Sequence, residues 1–405
     1  MNYISISVYV LLALSMAIGM KLAPRKKFNE DSMSLEAMTS LKGVMAIFVL
    51  CHHLSQKPLF QQTHTISVFE QIGFLFVGVF FLCSGYGLYK SFLTKENYLK
   101  TFLKRRVLPI VIFYYVMIAA YAVYHIVAGS QFTTVEWILK LSGLVAINTQ
   151  SWYVPVIILM YVSFYFIFKN EKLRDSGILL LLLITFAQGI LFCVINHFPW
   201  YAGESGWWKN PGAFANLPWY MRHCALPFEG EWWVNSTIGF VFGLTVAKYE
   251  KPLVEWSSKN FGFKFFMAIF VFAMITIASF FCMWEVGYWT EFGGNLGTAN
   301  KFVCYIVQCM HVVAADILVL FIMRKACVHN KFYNFIGKRS LEVYLMQEIA
   351  LFSFEYLIQN GRTPIFKPNN WNIALYITVV TATVLVSAII YHWINVLLTK
   401  KLKNS

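Results

Sequence analysis

Long apolar stretches separated by short polar ones run along most of the chain. A helix of about 17–25 apolar residues crosses roughly 30 Å of hydrocarbon, and helices satisfy their own backbone groups there. Eleven stretches approach this length: 3–20, 42–56, 68–89, 107–128, 151–168, 177–195, 233–248, 264–284, 302–323, 340–358 and 373–398. The pattern predicts an all-α, polytopic membrane helical bundle with about eleven transmembrane helices.

The composition supports a membrane protein. Of the 405 residues, 59% are hydrophobic and only 13% are charged, whereas soluble domains carry about 25% charged residues. So few charges cannot cover a water-facing surface, which excludes a soluble globular enzyme. So much apolar surface also excludes a disordered chain.

The net charge of +14 reports membrane topology and does not indicate nucleic-acid binding. When the loops between the eleven stretches are numbered alternately, one set carries 26 of the 33 Lys and Arg residues and the other carries seven. Loops rich in Lys and Arg stay in the cytoplasm. We therefore predict a multi-pass protein of the plasma (inner) membrane, with its amino terminus outside and its carboxyl terminus in the cytoplasm.

The same pattern predicts three regions. Residues 1–23 form an extra N-terminal transmembrane helix that is retained, because its basic residues follow the apolar stretch. Residues 24–40 form a polar cytoplasmic linker, and residues 41–399 form the main membrane domain. The eight cysteines include no C-x-x-C pair, so we predict packing roles for them and neither a zinc framework nor a disulfide scaffold. We also predict no metal site and no bound cofactor.

The loop at 196–232 is the longest segment outside the apolar stretches and is rich in aromatic rings. Flat rings pack on sugar faces and carboxylates accept hydroxyl protons, so the loop is a candidate wall for a glycan or lipid-linked sugar. The predicted acceptor-binding residues are Trp207, Trp208, Glu229 and Glu231. An aromatic belt at the level of the lipid headgroups is the alternative.

Polar side chains inside the second stretch are the first candidates for chemistry. Lys42 opens that helix, and His52 and His53 stand about 16 Å further along it. Polar groups at membrane depth are costly and mark functional sites, although a lone buried histidine is more often structural. A pair of histidines near an aromatic-rich loop favours function.

Four further patterns follow along the chain. A basic group containing Arg105 and Arg106 precedes a proline and suits phosphate binding, although it also fits an ordinary cytoplasmic flank. The other three patterns supply these candidate structural positions: Phe81, Ser84, Gly85, Trp152, Tyr153, Ser340 and Tyr344.

Taken in order, these patterns resemble acyltransferase family 3, the integral membrane O-acyltransferases that modify cell-surface glycans. The resemblance extends from about residue 35 to residue 398. Its motifs correspond to Lys42 with His53, to Phe80-Phe81-x-x-Ser84-Gly85, to Arg105-Arg106 before Pro109, to Trp152-Tyr153, and to Gly337-x-x-Ser340 with Tyr344-Leu345. Two positions depart from the pattern, since Gly78 replaces an Asp and Gln347 replaces a His.

The resemblance implies an acyl-CoA donor, such as acetyl-CoA, and an acceptor hydroxyl at the outer face. Lys42, Arg105 and Arg106 would then bind the donor phosphates. His53 would act as general base or carry the acyl group briefly, with His52 beside it. A carboxylate, Glu348 or else Glu70, would orient the imidazole ring.

A transporter or a flippase for an envelope precursor is the alternative from another class. Such proteins also have many spans and ionisable residues near the midplane, but they more often show internal repeats, which this chain lacks. A second polar pair, His311 and Asp316, lies in the ninth stretch, and we favour a structural role for it. The sequence predicts no oligomeric state.

Overall fold

The computed structural model describes residues 3–195, 232–286, 298–360, 363–364 and 370–403. Helices dominate these ranges, and the strands among them form two short antiparallel pairs. The first half contains α1 (Tyr3–Ala17), β1 (Lys21–Leu22), α2 (Leu35–Ser55), α3 (Pro58–Gln62), α4 (Gly73–Thr94), α5 (Leu108–Val127), α6 (Thr134–Leu141), α7 (Tyr153–Lys169), α8 (Glu171–Arg174) and α9 (Gly177–Ile195). The second half contains α10 (Trp232–Ser236), α11 (Ile238–Lys248), α12 (Glu250–Ser258), α13 (Phe261–Phe281), α14 (Thr298–Lys325), β2 (Ala326–Cys327), α15 (Lys331–Gly337), α16 (Ser340–Ser353), β3 (Gln359–Asn360), β4 (Thr363–Pro364) and α17 (Asn370–Lys403).

The all-α class is confirmed, and a helix lies in each of the eleven apolar stretches. Within the described ranges, seven helical stretches are long and apolar enough to cross a membrane: 35–55, 73–94, 103–127, 150–169, 261–286, 299–325 and 371–400. The helices α11 and α16 have 11 and 14 residues, which correspond to only about 16 and 21 Å. The protein is therefore a multi-helix membrane protein, and the count of eleven spans stays a prediction.

The chain forms two compact units. The first unit comprises Met1–Cys83 and Ile317–Leu397, and the second comprises Ser84–Asp316 and Leu398–Ser405. Each is described by itself below.

In the first unit, the N-terminal segment is anchored to the region after α14. Strand β1 pairs antiparallel with β2, with Lys21 opposite Cys327. The side chain of Asn330 donates hydrogen bonds to the backbone oxygens of Ser15 and Ile18, both at 2.9 Å. The predicted extra helix α1 is therefore built into this unit.

The centre of the first unit is a close crossing of α2 and α15. A Cβ atom added to Gly43 would lie 2.0 Å from the backbone oxygen of Tyr333, and one added to Gly337 would lie 1.7 Å from that of Thr39. Only glycine allows backbones to approach so closely. Burial raises the pKa of the Tyr333 hydroxyl, which stays neutral and shares a 2.7 Å hydrogen bond with Ser15.

In the second unit, small residues again mark the close approaches. A Cβ atom on Gly85 in α4 would lie 2.1 Å from the Phe240 backbone oxygen in α11, and one on Gly189 would lie 2.2 Å from the Tyr305 ring. A buried hydrogen bond of 2.6 Å joins Asn235 to Gln308. Close packing and interhelical hydrogen bonds are the forces that hold helices together in lipid.

Candidate active site

Helix α2 carries both histidines of the first candidate motif. Ser34 caps its start by accepting a hydrogen bond from the Ala37 amide at 3.2 Å, as serine commonly does at an N-cap. The helix then runs through the glycine crossing to His52 and His53 in its last turn. The crossing therefore fixes the helix whose far end presents the histidines.

His53 is 7% exposed and is hydrogen bonded to Gln347 of α16. The distance from Nδ1 of His53 to Oε1 of Gln347 is 2.6 Å. An amide oxygen only accepts hydrogen bonds, so Nδ1 carries the proton and Nε2 carries the lone pair in the neutral ring. The hydrogen bond to Gln347 therefore fixes the orientation of the ring and makes Nε2 its basic nitrogen.

Gln347 is the contact of His53 that the sequence analysis does not anticipate. The sequence marks it only as a departure from the family pattern, yet its side chain bonds the candidate base. Its Nε2 atom is buried without a hydrogen-bond partner in the described part of the chain. Leaving such a donor unpaired costs about 1–3 kcal/mol, and each case calls for an explanation. A polar residue inside an apolar helix was the available signal.

His52 has different surroundings from His53. Its Nδ1 atom lies 2.8 Å from the backbone oxygen of Phe69, and its ring is half-buried. A Cβ atom on Gly73, the first residue of α4, would lie 2.2 Å from that ring. The two histidine rings are 5.3 Å apart, so the backbone of the 66–73 segment holds the neighbour of His53.

The predicted carboxylates lie in two settings. Glu348 is buried on α16 directly after Gln347, and Tyr344, one turn earlier, has its ring 6.5 Å from that of His53. Glu70 accepts a 3.0 Å hydrogen bond from Gln61 in an exposed setting. Helix α16 therefore brings Tyr344, Gln347 and Glu348 to the His53 side of the first unit.

The remaining motif positions of the first unit lie on α2, α4 and α16. Lys42 is half-buried on α2 beside the glycine crossing, and Phe81 is fully buried in α4. Ser340 is the first residue of α16 and follows Gly337 by three residues. The Gly-x-x-Ser spacing thus corresponds to the turn that joins α15 to the helix carrying Gln347.

Ser84 and Gly85 lie in the second unit and have structural partners there. The hydroxyl of Ser84 is 2.7 Å from that of Tyr161 in α7, a partner that the sequence did not indicate. Gly85 faces the backbone of α11 as described above. The Ser-Gly pair therefore packs α4 against two neighbouring helices.

Trp152 and Tyr153 mark the start of α7. Trp152 is buried, and the two ring centroids are 6.3 Å apart. The preceding turn is closed by Asn148, whose side chain accepts from the Gln150 amide at 2.7 Å. The Trp-Tyr motif is thus a buried helix start in this structure.

Arg105 and Arg106 lie on a π-helical turn, Leu103–Val107, directly before α5. Pro109 has no N–H to bond the Arg105 carbonyl, so the chain cannot form a regular α-turn there, and a wider turn is common at functional sites. Both arginines are exposed, and the Arg106 guanidinium lies 5.9 Å from the centroid of the Tyr98 ring. Two cations are therefore available to a ligand.

Two other predictions have different outcomes. The acceptor-binding residues Trp207, Trp208, Glu229 and Glu231 lie outside the described residues. His311 of the second polar pair has its Nε2 atom 2.9 Å from the Thr276 hydroxyl. Asp316 is fully buried, and neither of its carboxylate oxygens has a hydrogen-bond partner in the described part of the chain.

The fold and the site together define the class of this protein. It is a multi-helix membrane protein that carries a buried, hydrogen-bonded histidine at the end of a glycine-packed helix. A family model described as an acyltransferase domain, that of acyltransferase family 3, matches residues 35–392. This chain therefore belongs to acyltransferase family 3 and is a membrane acyltransferase. No curated protein and no solved structure gives a significant match to it.

Proposed function

We propose that this acyltransferase is an O-acyltransferase of the cell envelope. It transfers an acyl group, acetyl in the simplest case, from a cytoplasmic acyl-CoA to a hydroxyl of an extracytoplasmic glycan or lipid-linked sugar. The observation that carries the proposal is the hydrogen bond from His53 Nδ1 to Gln347, inside the region that belongs to the family. It provides a basic nitrogen on a ring of fixed orientation.

The chemistry requires a base because a sugar hydroxyl is far too weak an acid to react unaided. Nε2 of His53 takes the hydroxyl proton while the oxygen forms a bond to the acyl carbon. The thioester C–S bond then breaks, and the departing CoA thiolate takes the proton from Nε2. In the variant route, Nε2 itself carries the acyl group between the two substrates.

The donor carries phosphates, and cations are the natural partners of phosphates. Arg105 and Arg106 are exposed on the π-helical turn, and Lys42 lies near the start of the helix that carries His53. We assign these three residues to the donor. The acceptor is assigned to the segment around Trp207, Trp208, Glu229 and Glu231.

We also propose the topology with an outside amino terminus and a cytoplasmic carboxyl terminus in the inner membrane. Contacts within each unit support it, because they join loops that the charge bias assigns to one side. Lys90 bonds Glu250, and β1 pairs with β2, both between basic loops. Lys57, in a loop of the other set, bonds Glu355 at 2.8 Å, and Glu355 lies at the end of the 340–358 stretch that leads into the next loop of that set.

The test is transfer of labelled acetyl groups in cells that lack the native gene. We would express the natural protein, His53→Ala and, as the matched control, His311→Ala, which also removes a buried, hydrogen-bonded imidazole. Labelled esters on envelope glycans are expected with the natural protein and the control. A fall of about 10²–10⁴-fold is expected for His53→Ala at equal membrane levels. Equal labelling with His53→Ala would remove this residue from the mechanism.

A second test separates an enzyme from a transporter. The purified protein is supplied with acetyl-CoA or succinyl-CoA and an envelope extract, and free CoA is measured. Release of CoA is expected, and its absence with both donors favours the transporter. Replacing Arg105 and Arg106 by Gln should raise the donor KM by roughly tenfold or more, whereas Lys259→Gln on another basic loop should leave it unchanged.

A further inference from the structure

We propose that Gln347 is a positioning residue that holds His53 in its Nδ1–H tautomer and thereby directs proton transfer to Nε2. The inference rests on the proposed function for its catalytic meaning, but its structural core concerns only these two side chains. Their 2.6 Å contact between α2 and α16 is the juxtaposition that carries it.

The burial of both groups makes the contact decisive for the tautomer. Gln347 is 0% exposed and His53 is 7% exposed, so bulk water does not compete for either side chain. With its oxygen toward the ring, the amide accepts a hydrogen bond from Nδ1–H and cannot donate one there. Histidine in water prefers the other tautomer, with the proton on Nε2, so the amide reverses the intrinsic preference.

The rest of the Gln347 amide also indicates a ligand. Its Nε2 atom is a buried donor without a hydrogen-bond partner in the described ranges. An oxygen of the acyl group or of the acceptor hydroxyl has the chemistry to satisfy it. One amide would then both orient the base and offer an N–H group to a substrate.

The proton balance follows from this arrangement. The acceptor hydroxyl gives its proton to Nε2, and the ring becomes an imidazolium that keeps the Nδ1–H bond to Gln347. That bond becomes charge-assisted and therefore stronger as the charge develops. When the thioester C–S bond breaks, the thiolate takes the Nε2 proton and the ring returns to the Nδ1–H tautomer.

The first readout is the tautomer itself, which needs no activity. The full chain is labelled with ¹⁵N-histidine and reconstituted in membrane discs, and the His53 signals are found by difference from His53→Ala. In the natural protein we expect Nδ1 to be protonated and Nε2 to be unprotonated. Gln347→Leu should shift the ring toward the Nε2–H form. Gln188→Leu, a buried glutamine on α9 in the other unit, is the matched control and should change nothing.

The second readout is kinetic. Gln347→Leu should lower kcat at least tenfold, because the ring loses the acceptor that holds it in the Nδ1–H tautomer. Gln347→Glu restores an acceptor for Nδ1–H and should recover most of the loss, which a packing role would not predict. Membrane levels and thermal melting identify any variant that fails to fold.

The outcomes separate the inference from the proposed function. An Nε2–H ring in the natural protein, or normal kcat in Gln347→Leu, would overturn the role of Gln347 and leave the acyltransferase proposal standing. A tautomer that shifts as expected in a protein without CoA release would instead retain the structural assignment and overturn the proposed function.

Discussion

Two histidines are buried in membrane helices of the described part of the chain, and their surroundings differ in a way that separates chemistry from packing. His53 is bonded through Nδ1 to the amide oxygen of Gln347, whose own amide nitrogen has no hydrogen-bond partner among the described residues. His311 is bonded through Nε2 to the hydroxyl of Thr276 on the facing helix. In the first case the basic nitrogen is Nε2, the outer atom of the ring. In the second, that atom is used to join two helices.

The supports of the two histidines differ as well. The helix of His53 is held by a backbone crossing at Gly43 and Gly337, and the ring of His52 beside it meets Gly73. Near His311, the buried carboxylate of Asp316 has no hydrogen-bond partner in the described part of the chain. Tight support at His53 and a buried carboxyl group without a hydrogen bond in the described ranges near His311 give variants with opposite expected effects on stability.

The largest effect is expected at the glycine crossing that supports the His53 helix. In Gly43→Ala the new Cβ atom would lie 2.0 Å from the Tyr333 backbone oxygen, and overpacking of this kind costs about 1–3 kcal/mol or more. We expect loss of folded protein, measured by thermal melting and membrane level. Gly262→Ala is the control because nothing lies within 4 Å of that Cβ position. A fully stable Gly43→Ala would contradict the crossing.

A smaller effect, confined to activity, is expected where α4 begins. In Gly73→Ala the methyl group displaces the His52 ring, and misplacement of about 1 Å near a reacting group can cost up to 10²-fold in rate. We expect at least a tenfold fall in acyl transfer at normal folded levels. Gly87→Ala on the same helix meets nothing within 4 Å and should be as active as the natural protein. Equal activity of the two variants would mean that the His52 position is unimportant.

Asp316 tests the second histidine region. Replacing it with Leu removes a buried carboxyl group that has no hydrogen bond in the described part of the chain, and burying a polar group without a hydrogen bond costs about 1–3 kcal/mol. We expect a melting temperature that is unchanged or raised by a few degrees, with acyl transfer within about twofold. Asp316→Asn, which keeps the polar shape, is the comparison. Loss of transfer in Asp316→Leu would give this region a role in the chemistry.

The smallest effect is expected at the contact between α1 and the turn before Phe69. The hydroxyl of Ser5 accepts a 3.0 Å hydrogen bond from the Ile66 amide, and Ile66 has a left-handed backbone with φ of 48°. Ser5→Ala should cost about 1 kcal/mol and slightly lower acyl transfer. The hydroxyl of Ser7 donates a hydrogen bond to the Tyr3 backbone oxygen within α1. Ser7→Ala should therefore change neither the stability nor the acyl transfer. Indistinguishable melting curves would contradict a bracing role for α1.

The sequence predicted the all-α class, the family and the helix that carries the candidate histidines. Apolar length predicted a helix in every one of eleven stretches, and ordered motifs predicted the family. Proximity along the chain also paired His52 with His53 correctly, since adjacent residues are neighbours in any helix. Span count was harder to predict, because a stretch such as 340–358 forms a helix of only 14 residues before the chain turns, and hydropathy does not register turns.

The sequence by itself determined that this protein folds in a lipid bilayer, and it determined which residue types are available for its chemistry. The low content of charged residues and the length of the apolar stretches depend only on amino-acid composition and residue order. Both can therefore be recognised without a structure. Tertiary structure alone decided which side chains meet. His53 and Gln347 are 294 residues apart in the sequence. Their contact exists because Gly43 and Gly337 let α15 cross α2 at backbone distance and set α16 beside it. Long-range contacts of this kind have no local signature, because they depend on how two helices pack.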